Sequence, residues 1–374
     1  VIRLGPSSLG IDHRERGYFD GWMALAVAAL LIVGLMALYS QGMGRPGQGV
    51  FPKQLMFLAI GGVPFAAFFF IDPPLWRKTT GVMYFLNLAL LALVLIAGSS
   101  GGGAQRWLNI GPMQFQPSEM SKLVAVLTLA TYYADRTDRV TTLGTYVGSL
   151  LYILPSLVMV FLQPHLGATL VILSIWGAIS IAAGVRWRYL LGTVGLVAIV
   201  LATAITVPGI LRDYQRDRVR AMFVKDEKGS DYQAFRAAIA FGVGGVAGTG
   251  YGKGEQKAGG FIPEQHNDFI FTVVGEEGGL MVGTLVLGAF GFLFLRMWLA
   301  MVRSTDPYPR MLMAGSLALL GFHTLVNLGM NLQILPVVGL WLPFLSSGGT
   351  ALWLCLAVAG LALNLSRPER PRPF

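Results

Sequence analysis

Long apolar stretches alternate with short polar ones along almost the whole chain, and their length matches a bilayer. A membrane-spanning helix needs about 20 apolar residues. Ten stretches approach or meet that need, near 20–40, 53–71, 79–98, 117–134, 143–162, 166–184, 188–208, 268–295, 309–330 and 348–365. Pro64, Pro155 and the Gly61-Gly62 pair lie inside them, which membrane helices tolerate because neighbouring groups re-satisfy the backbone. The pattern predicts an all-α polytopic membrane protein of about ten transmembrane helices, a single domain over 18–366. Residues 1–17 precede it and a tail, 367–374, follows. Residues 1–13 follow no membrane pattern and read as a leader. The connection over 209–267, between the seventh and eighth spans, is far longer than a link requires, and loops of that length tend to be functional.

Basic residues sort by side. Arg3, Arg14, Arg16, Arg77, Lys78, Arg136, Arg139, Arg186, Arg188, Arg296, Arg303, Arg310, Arg367, Arg370 and Arg372 make 15 on one side; Arg45, Lys53 and Arg106 make 3 in the short loops of the other. Lys and Arg favour cytoplasmic loops, so both termini are expected in the cytoplasm and 209–267 outside it. The net charge of +9 then reflects loops facing anionic lipid rather than nucleic acid. Charged residues are 13% of the chain and hydrophobic ones 54%, about half the charged share of a soluble domain. Cys355 is the single cysteine, so no intrachain disulfide forms and cysteine is silent on redox compartment.

The candidate chemistry lies on the outer side. Pro263-Glu264-Gln265-His266-Asn267-Asp268 closes the long loop, and Phe269-Ile270-Phe271 opens the eighth span. A carboxylate near a bilayer is costly and marks a functional candidate. Asp is also a favoured helix cap, so Asp268 has two readings, cap or chemistry. Glu264, His266, Glu276 and Glu277 keep it company. On a continuous helix Glu276 would lie about 12 Å along the axis from Asp268 and near its face, with Glu277 almost opposite.

Glu119 and Lys122, after Pro117 at the start of the fourth span, share a helix face at i and i+3. They read either as a structural ion pair or as a pair facing a substrate groove, with Lys122 open to a phosphate. The long loop begins with a charged run, Arg212 to Lys228, which suits an amphipathic helix on the membrane surface. It continues into Gly242-Val243-Gly244-Gly245 and Gly248-Thr249-Gly250, which suit close backbone approach to a ligand or a flexible linker. Asn327 to Thr350 is apolar but broken by Pro336, Pro343 and paired glycines. Non-helical backbone at membrane depth survives where it lines a cavity or is buried in protein. His13, His165, His266 and His323 are scattered, and no HExxH or CxxC occurs, so no cofactor motif stands out; a divalent cation stays open.

Three stretches resemble one family. They are Gln105-Arg106-Trp107-Leu108 with Gln116-Pro117-Ser118-Glu119 and Lys122; Gln233, Gly242 and Gly244-Gly245 with Pro263-Glu264 and His266 to Phe271; and Asn327 to Thr350. The chain is identified as a member of the SEDS family (shape, elongation, division and sporulation), and its short tails fit the RodA-like branch. The resemblance covers about 18–366. It implies a ten-helix peptidoglycan glycosyltransferase that polymerises lipid II during cell elongation, in a bacterial inner membrane. It also implies a class B penicillin-binding protein, a transpeptidase, as partner. The family's essential aspartate falls on Asp268, expected as the catalytic base, and its acid–base pair on Glu119 and Lys122. Lys122, Arg106 and Arg220 are the expected diphosphate contacts, and Trp107, Glu264, His266 and Ser346 complete the substrate-binding set. His165 stands where the family has Asp, Asn267 where it has Thr, and Thr350 where it has Ser. A lipid II flippase and a non-catalytic scaffold of the cell-wall complex are the rival classes. A flippase would need ionisable groups nearer the middle of the bilayer, whereas these cluster toward one face.

Overall fold

The computed structural model describes residues 19–43, 50–101, 104–111, 113–163, 165–206 and 230–367. Ten long helices occupy the ten apolar stretches: α1 (Gly21–Gly42), α2 (Phe51–Phe70), α3 (Pro73–Ala97), α4 (Pro117–Ala134), α5 (Leu143–Leu162), α6 (Leu166–Ala183), α7 (Trp187–Thr206), α10 (Ile270–Arg303), α11 (Pro307–Asn331) and α12 (Gly349–Leu365). The connection before α10 holds two more, α8 (Ser230–Gly244) and α9 (Glu255–Gly259). Seven of the ten are long and apolar enough by themselves to cross a membrane, and α12 is apolar but shorter.

Local chemistry sets the ends. The Asp20 carboxylate accepts from the Trp22 and Met23 amides and opens α1, and Asp306 accepts from Tyr308 to open α11. Pro52, Pro73, Pro117 and Pro307 sit in first turns, where a missing N–H costs nothing. Gly184 ends α6 with φ 92°, a left-handed conformation open to glycine.

α4 lies at the centre, packed by α3, α6 and α11, while α2 lies along α12 and α1 along α10. α4 and α12 are buried over most of their length. α2 and α3 instead turn Val63, Phe70, Val82, Phe85 and Ile96 outward. In water such a surface would aggregate; in a bilayer it is the solvent-matched face.

Two connections are ordered. The loop between α3 and α4 is a small antiparallel sheet in sequence order, β1 (Ser99–Gly101), β2 (Ala104–Ile110) and β3 (Met113–Phe115). Ser99 pairs with Trp107 and Leu108 with Phe115. The glycine-rich stretch after α8 is neither a linker nor a ligand cradle. It packs on α10, which is broken at Gly279 (φ 64°, ψ −166°). A break in a helix strands carbonyls before it and amides after it, and each must find a partner. Here Glu276 and Glu277 carbonyls accept from the Thr249 and Gly250 amides at 3.0 and 3.1 Å, and the Leu280 and Met281 amides donate to Gly245 and Val246 carbonyls at 2.9 and 3.2 Å. A side chain on Gly244 or Gly248 would run into the Gly275 or Glu277 carbonyl. The charged run 212–228, and any amphipathic helix in it, lies outside the described residues.

Candidate functional site

The turn before α10 is built by its own backbone and then pinned from two sides. Glu264 adopts φ 52°, and its carbonyl accepts from the Asn267 and Asp268 amides at 3.0 and 3.1 Å. The Asn267 side chain donates back to the Glu264 carboxylate at 2.9 Å. From α11, the amides of Asn327 and Asn331 both reach the Asp268 carbonyl, at 2.9 and 3.0 Å. From the segment before α12, Ser346 Oγ donates to the Asn267 carbonyl at 2.6 Å and Ser347 N–H to the His266 carbonyl at 2.9 Å.

Ser346 is buried and its hydroxyl also accepts from the Leu342 amide at 2.7 Å, so it braces the turn. Phe269, not Asp268, occupies the N-cap of α10, without a side-chain cap bond. The Asp268 side chain is half-buried, and Oδ2 lies about 3.6 Å from where a first side-chain carbon on Gly339 would be.

Glu119 and Lys122 meet as expected, with Nζ donating to Oε1 at 2.7 Å. The expectation of a lysine open to a phosphate is corrected: Lys122 is 0% and Glu119 2% exposed. Lys122 also lies 3.0 Å from His323 Nε2, and Trp341 Nε1 donates to Glu119 Oε2 at 3.0 Å. A buried ion pair persists only when further hydrogen bonds satisfy it, and Trp341 and His323 supply them. Beside it, His165 Nδ1 lies 3.3 Å from Gln116 Nε2 and 3.2 Å from Ser118 Oγ, so the residue standing in for an aspartate packs against the start of α4. Thr350, another departure, keeps a hydroxyl, which accepts from the Gln116 amide at 3.2 Å.

Arg106 and Trp107, consecutive on β2, are both half-buried. Arg106 Nε donates to the Gln163 carbonyl at 3.1 Å, two residues before His165. Arg220 lies outside the described residues. Glu264 and His266 line a pocket of about 270 Å³ with Gln41, Gly260, Ile262, Pro263 and Gln265. Burial holds the His266 imidazole below its ordinary range, with the nearby Glu264 charge opposing the shift.

Glu276 and Glu277 do not join Asp268. Glu276 is fully buried and its Oε1 accepts from the Gln256 amide at 2.7 Å. Glu277 forms a buried ion pair with Lys257 and accepts from Ser40 Oγ at 2.6 Å, tying α9 to the end of α1. Helical spacing placed Glu276 near the Asp268 face, but Asp268 precedes the helix and Glu276 turns to the Gln256 backbone. Among the described residues no group of three or more His, Cys, Asp or Glu could hold a metal ion.

The reading of the sequence passed over His323, Asn327, Asn331, Trp341 and Lys257. A signal for three of them was present. His323, Asn327 and Asn331 recur every fourth residue in an apolar helix, which puts a polar stripe on one face and marks it for a partner.

A polytopic helical membrane protein with a carboxylate and a buried Glu–Lys pair gathered toward one end of its bundle is the class so defined. The FtsW/RodA/SpoVE family, described as cell cycle protein, matches residues 18–371, and the chain belongs to that SEDS family. A probable peptidoglycan glycosyltransferase FtsW of Thiomicrospira cyclica is 33% identical over 369 residues, 94% of this chain and 92% of that one. The peptidoglycan glycosyltransferase MrdB of Escherichia coli is 30% identical over 358 residues, 94% of each. Among solved structures, a chain of a peptidoglycan synthase complex, described as coordinating polymerization and crosslinking, superposes with TM-score 0.78 at 31% identity, covering 93% of this chain and 98% of that one. The rod shape determining protein RodA of Thermus thermophilus gives 0.70 at 29%, covering 94% and 98%.

Proposed function

We propose that this protein is a peptidoglycan glycosyltransferase that polymerises lipid II into glycan strands, with inversion at the anomeric carbon and release of the polyprenyl diphosphate. The observation that carries the reading is spatial. A half-buried carboxylate, Asp268, and a buried Glu119–Lys122 pair flank one short segment, 339–341: Trp341 hydrogen-bonds to Glu119, and a side-chain carbon on Gly339 would meet the Asp268 carboxylate at 3.6 Å. The kinship with named glycosyltransferases supports the same reading.

A sugar hydroxyl is a poor nucleophile until a base takes its proton as attack proceeds. Asp268 is the base. The hydroxyl oxygen bonds to the anomeric carbon, the bond from that carbon to the diphosphate breaks, and the proton passes to the Asp268 carboxylate. One carboxylate opposite the leaving group gives inversion, by analogy with inverting glycosidases. The diphosphate leaves without an acid where cations meet its developing charge. Arg106, on the face of the site, is the contact for it; Lys122 acts from behind as a charge in a low-dielectric interior. Arg220 keeps the same proposed role. Trp107, Glu264 and His266 border the sugars. A divalent cation at the diphosphate is an addition that titrating magnesium into a chelated reaction would test.

The membrane is the bacterial inner membrane, with both termini cytoplasmic and Asp268 on the outer side, on the strength of the basic asymmetry. The transpeptidase partner is a class B penicillin-binding protein, supported by the kinship with a synthase complex. The role is in elongation, supported by the rod-shape neighbour. Purified protein mixed with lipid II in the presence of that partner should yield polymer on a gel. A flippase or a scaffold yields none.

A further inference from the structure

The segment between α11 and α12 passes between the two halves of the site, and three consecutive residues of it engage both. Gly339 (φ 70°) lies against the Asp268 carboxylate. The Leu340 carbonyl accepts from Asn327 Nδ2 at 2.7 Å, and the same amide holds the Asp268 carbonyl. Trp341 then turns its indole to the ion pair. Its Nε1–H reaches Glu119 Oε2, its ring lies 5.2 Å from Lys122 Nζ, and it stacks on His323 with centroids 3.8 Å apart at 25°.

His323 is polarised by the same residue. Its Nδ1 lies 3.3 Å from the Trp341 carbonyl. A carbonyl only accepts, so Nδ1 carries the ring proton, and Nε2 is left as the acceptor for Lys122. Each oxygen of Glu119 thus has a donor, and two of the three N–H bonds of Lys122 have acceptors among the described residues. A tryptophan serving only to fill space has no need to meet three members of one cluster through its N–H, its ring face and its carbonyl.

We infer that Trp341 and His323 are positioning residues, fixing the Glu119–Lys122 pair at a set distance from Asp268 through the rigid 339–341 segment. The inference rests on the glycosyltransferase reading above. Its physical basis is that charge stabilisation of a transition state depends on placement, and a misplacement of about 1 Å can cost about 100-fold in rate.

Trp341→Phe keeps a ring over His323 and removes only the N–H to Glu119. His323→Phe keeps the stack and removes the acceptor for Lys122; His323→Gln offers an acceptor again. The experiment measures kcat and KM for lipid II polymerisation with the partner present, alongside thermal melting of each variant. Trp341→Phe and His323→Phe should lower kcat about 10–100-fold with KM unchanged and the protein still folded at the assay temperature, though melting a few degrees lower because a buried charge loses a hydrogen bond, and His323→Gln should recover most of the loss. In a Glu119→Gln background Trp341→Phe should add little, because groups acting through one another are non-additive. Wild-type kcat in Trp341→Phe overturns the inference. So does a loss of kcat no larger than the unfolded fraction at the assay temperature accounts for, which marks a packing role, and so do losses that multiply in the Glu119→Gln background. Should Trp341→Phe fail to fold, the His323 pair decides alone: equal loss in Phe and Gln refutes the acceptor role. A wild-type sample that makes no polymer at all ends the glycosyltransferase reading, and the positioning role with it.

Discussion

Asp268→Asn separates chemistry from architecture. The position of Asp268 depends on its backbone: two asparagine amides, from Asn327 and Asn331, hold its carbonyl at 2.9 and 3.0 Å, and its amide bonds to the Glu264 carbonyl. Each such bond is worth about 0.5–1.5 kcal/mol, and Asp268→Asn keeps all of them. Asparagine also caps helices about as well as aspartate does. Asparagine matches the carboxylate in shape, so the folded protein should melt within a degree or two of wild type, a shift worth well under 1 kcal/mol for a chain of this size. Asparagine is no base. A positioned general base contributes about 10²–10⁴-fold, so polymerisation of lipid II by the purified variant, with its transpeptidase partner present, should fall by about that factor. The assay is strand length and yield on a gel, with melting of the same sample as control. Near-normal polymer from a well-folded Asp268→Asn protein would refute the assignment of the base.

Other expectations follow from the same geometry. Glu119→Gln and Lys122→Met should each lower polymerisation, and the double change should cost less than their product, since the two groups touch; independent losses in the cycle would show that the pair does not act as a unit. Lys257→Met leaves the buried Glu277 carboxylate without its cation and should destabilise the protein by about 3–5 kcal/mol, whereas replacing Glu277 by Met as well should restore much of it; melting of the single and double variants decides. His266 resists protonation in the folded turn because burial lowers its pKa from the ordinary 6.5. The unfolded chain therefore binds more protons below about 6.5, and stability should be lost as pH falls from there through the folded value. Melting against pH for wild type and His266→Gln should show a shallower acid decline in the variant, and superimposable profiles would exclude His266 as the source. An alkaline phosphatase fused in the 209–267 connection should be active and one fused at Arg136 inactive; activity at Arg136 would invert the orientation.

Hydropathy alone determined the ten helices, because a bilayer demands about 20 apolar residues per crossing whatever packs beside them. The same rule exposed Asp268, Glu119 and Lys122, since charge in such a background has few neutral explanations. What the helices do to one another was not legible. The break at Gly279 reads in sequence as one glycine among many, and it becomes a structural joint only because the 245–250 backbone supplies partners for four stranded groups. Glu276 looked like company for Asp268 by helical spacing, yet the fold commits it to Gln256, and Glu277 to Lys257 and Ser40. Trp341 and His323 lie 18 residues apart in sequence, and both lie more than 200 residues from the α4 pair they hold. Periodicity reaches across one helix; a hydrogen bond between helices depends on which faces pack, and only the folded chain decides that.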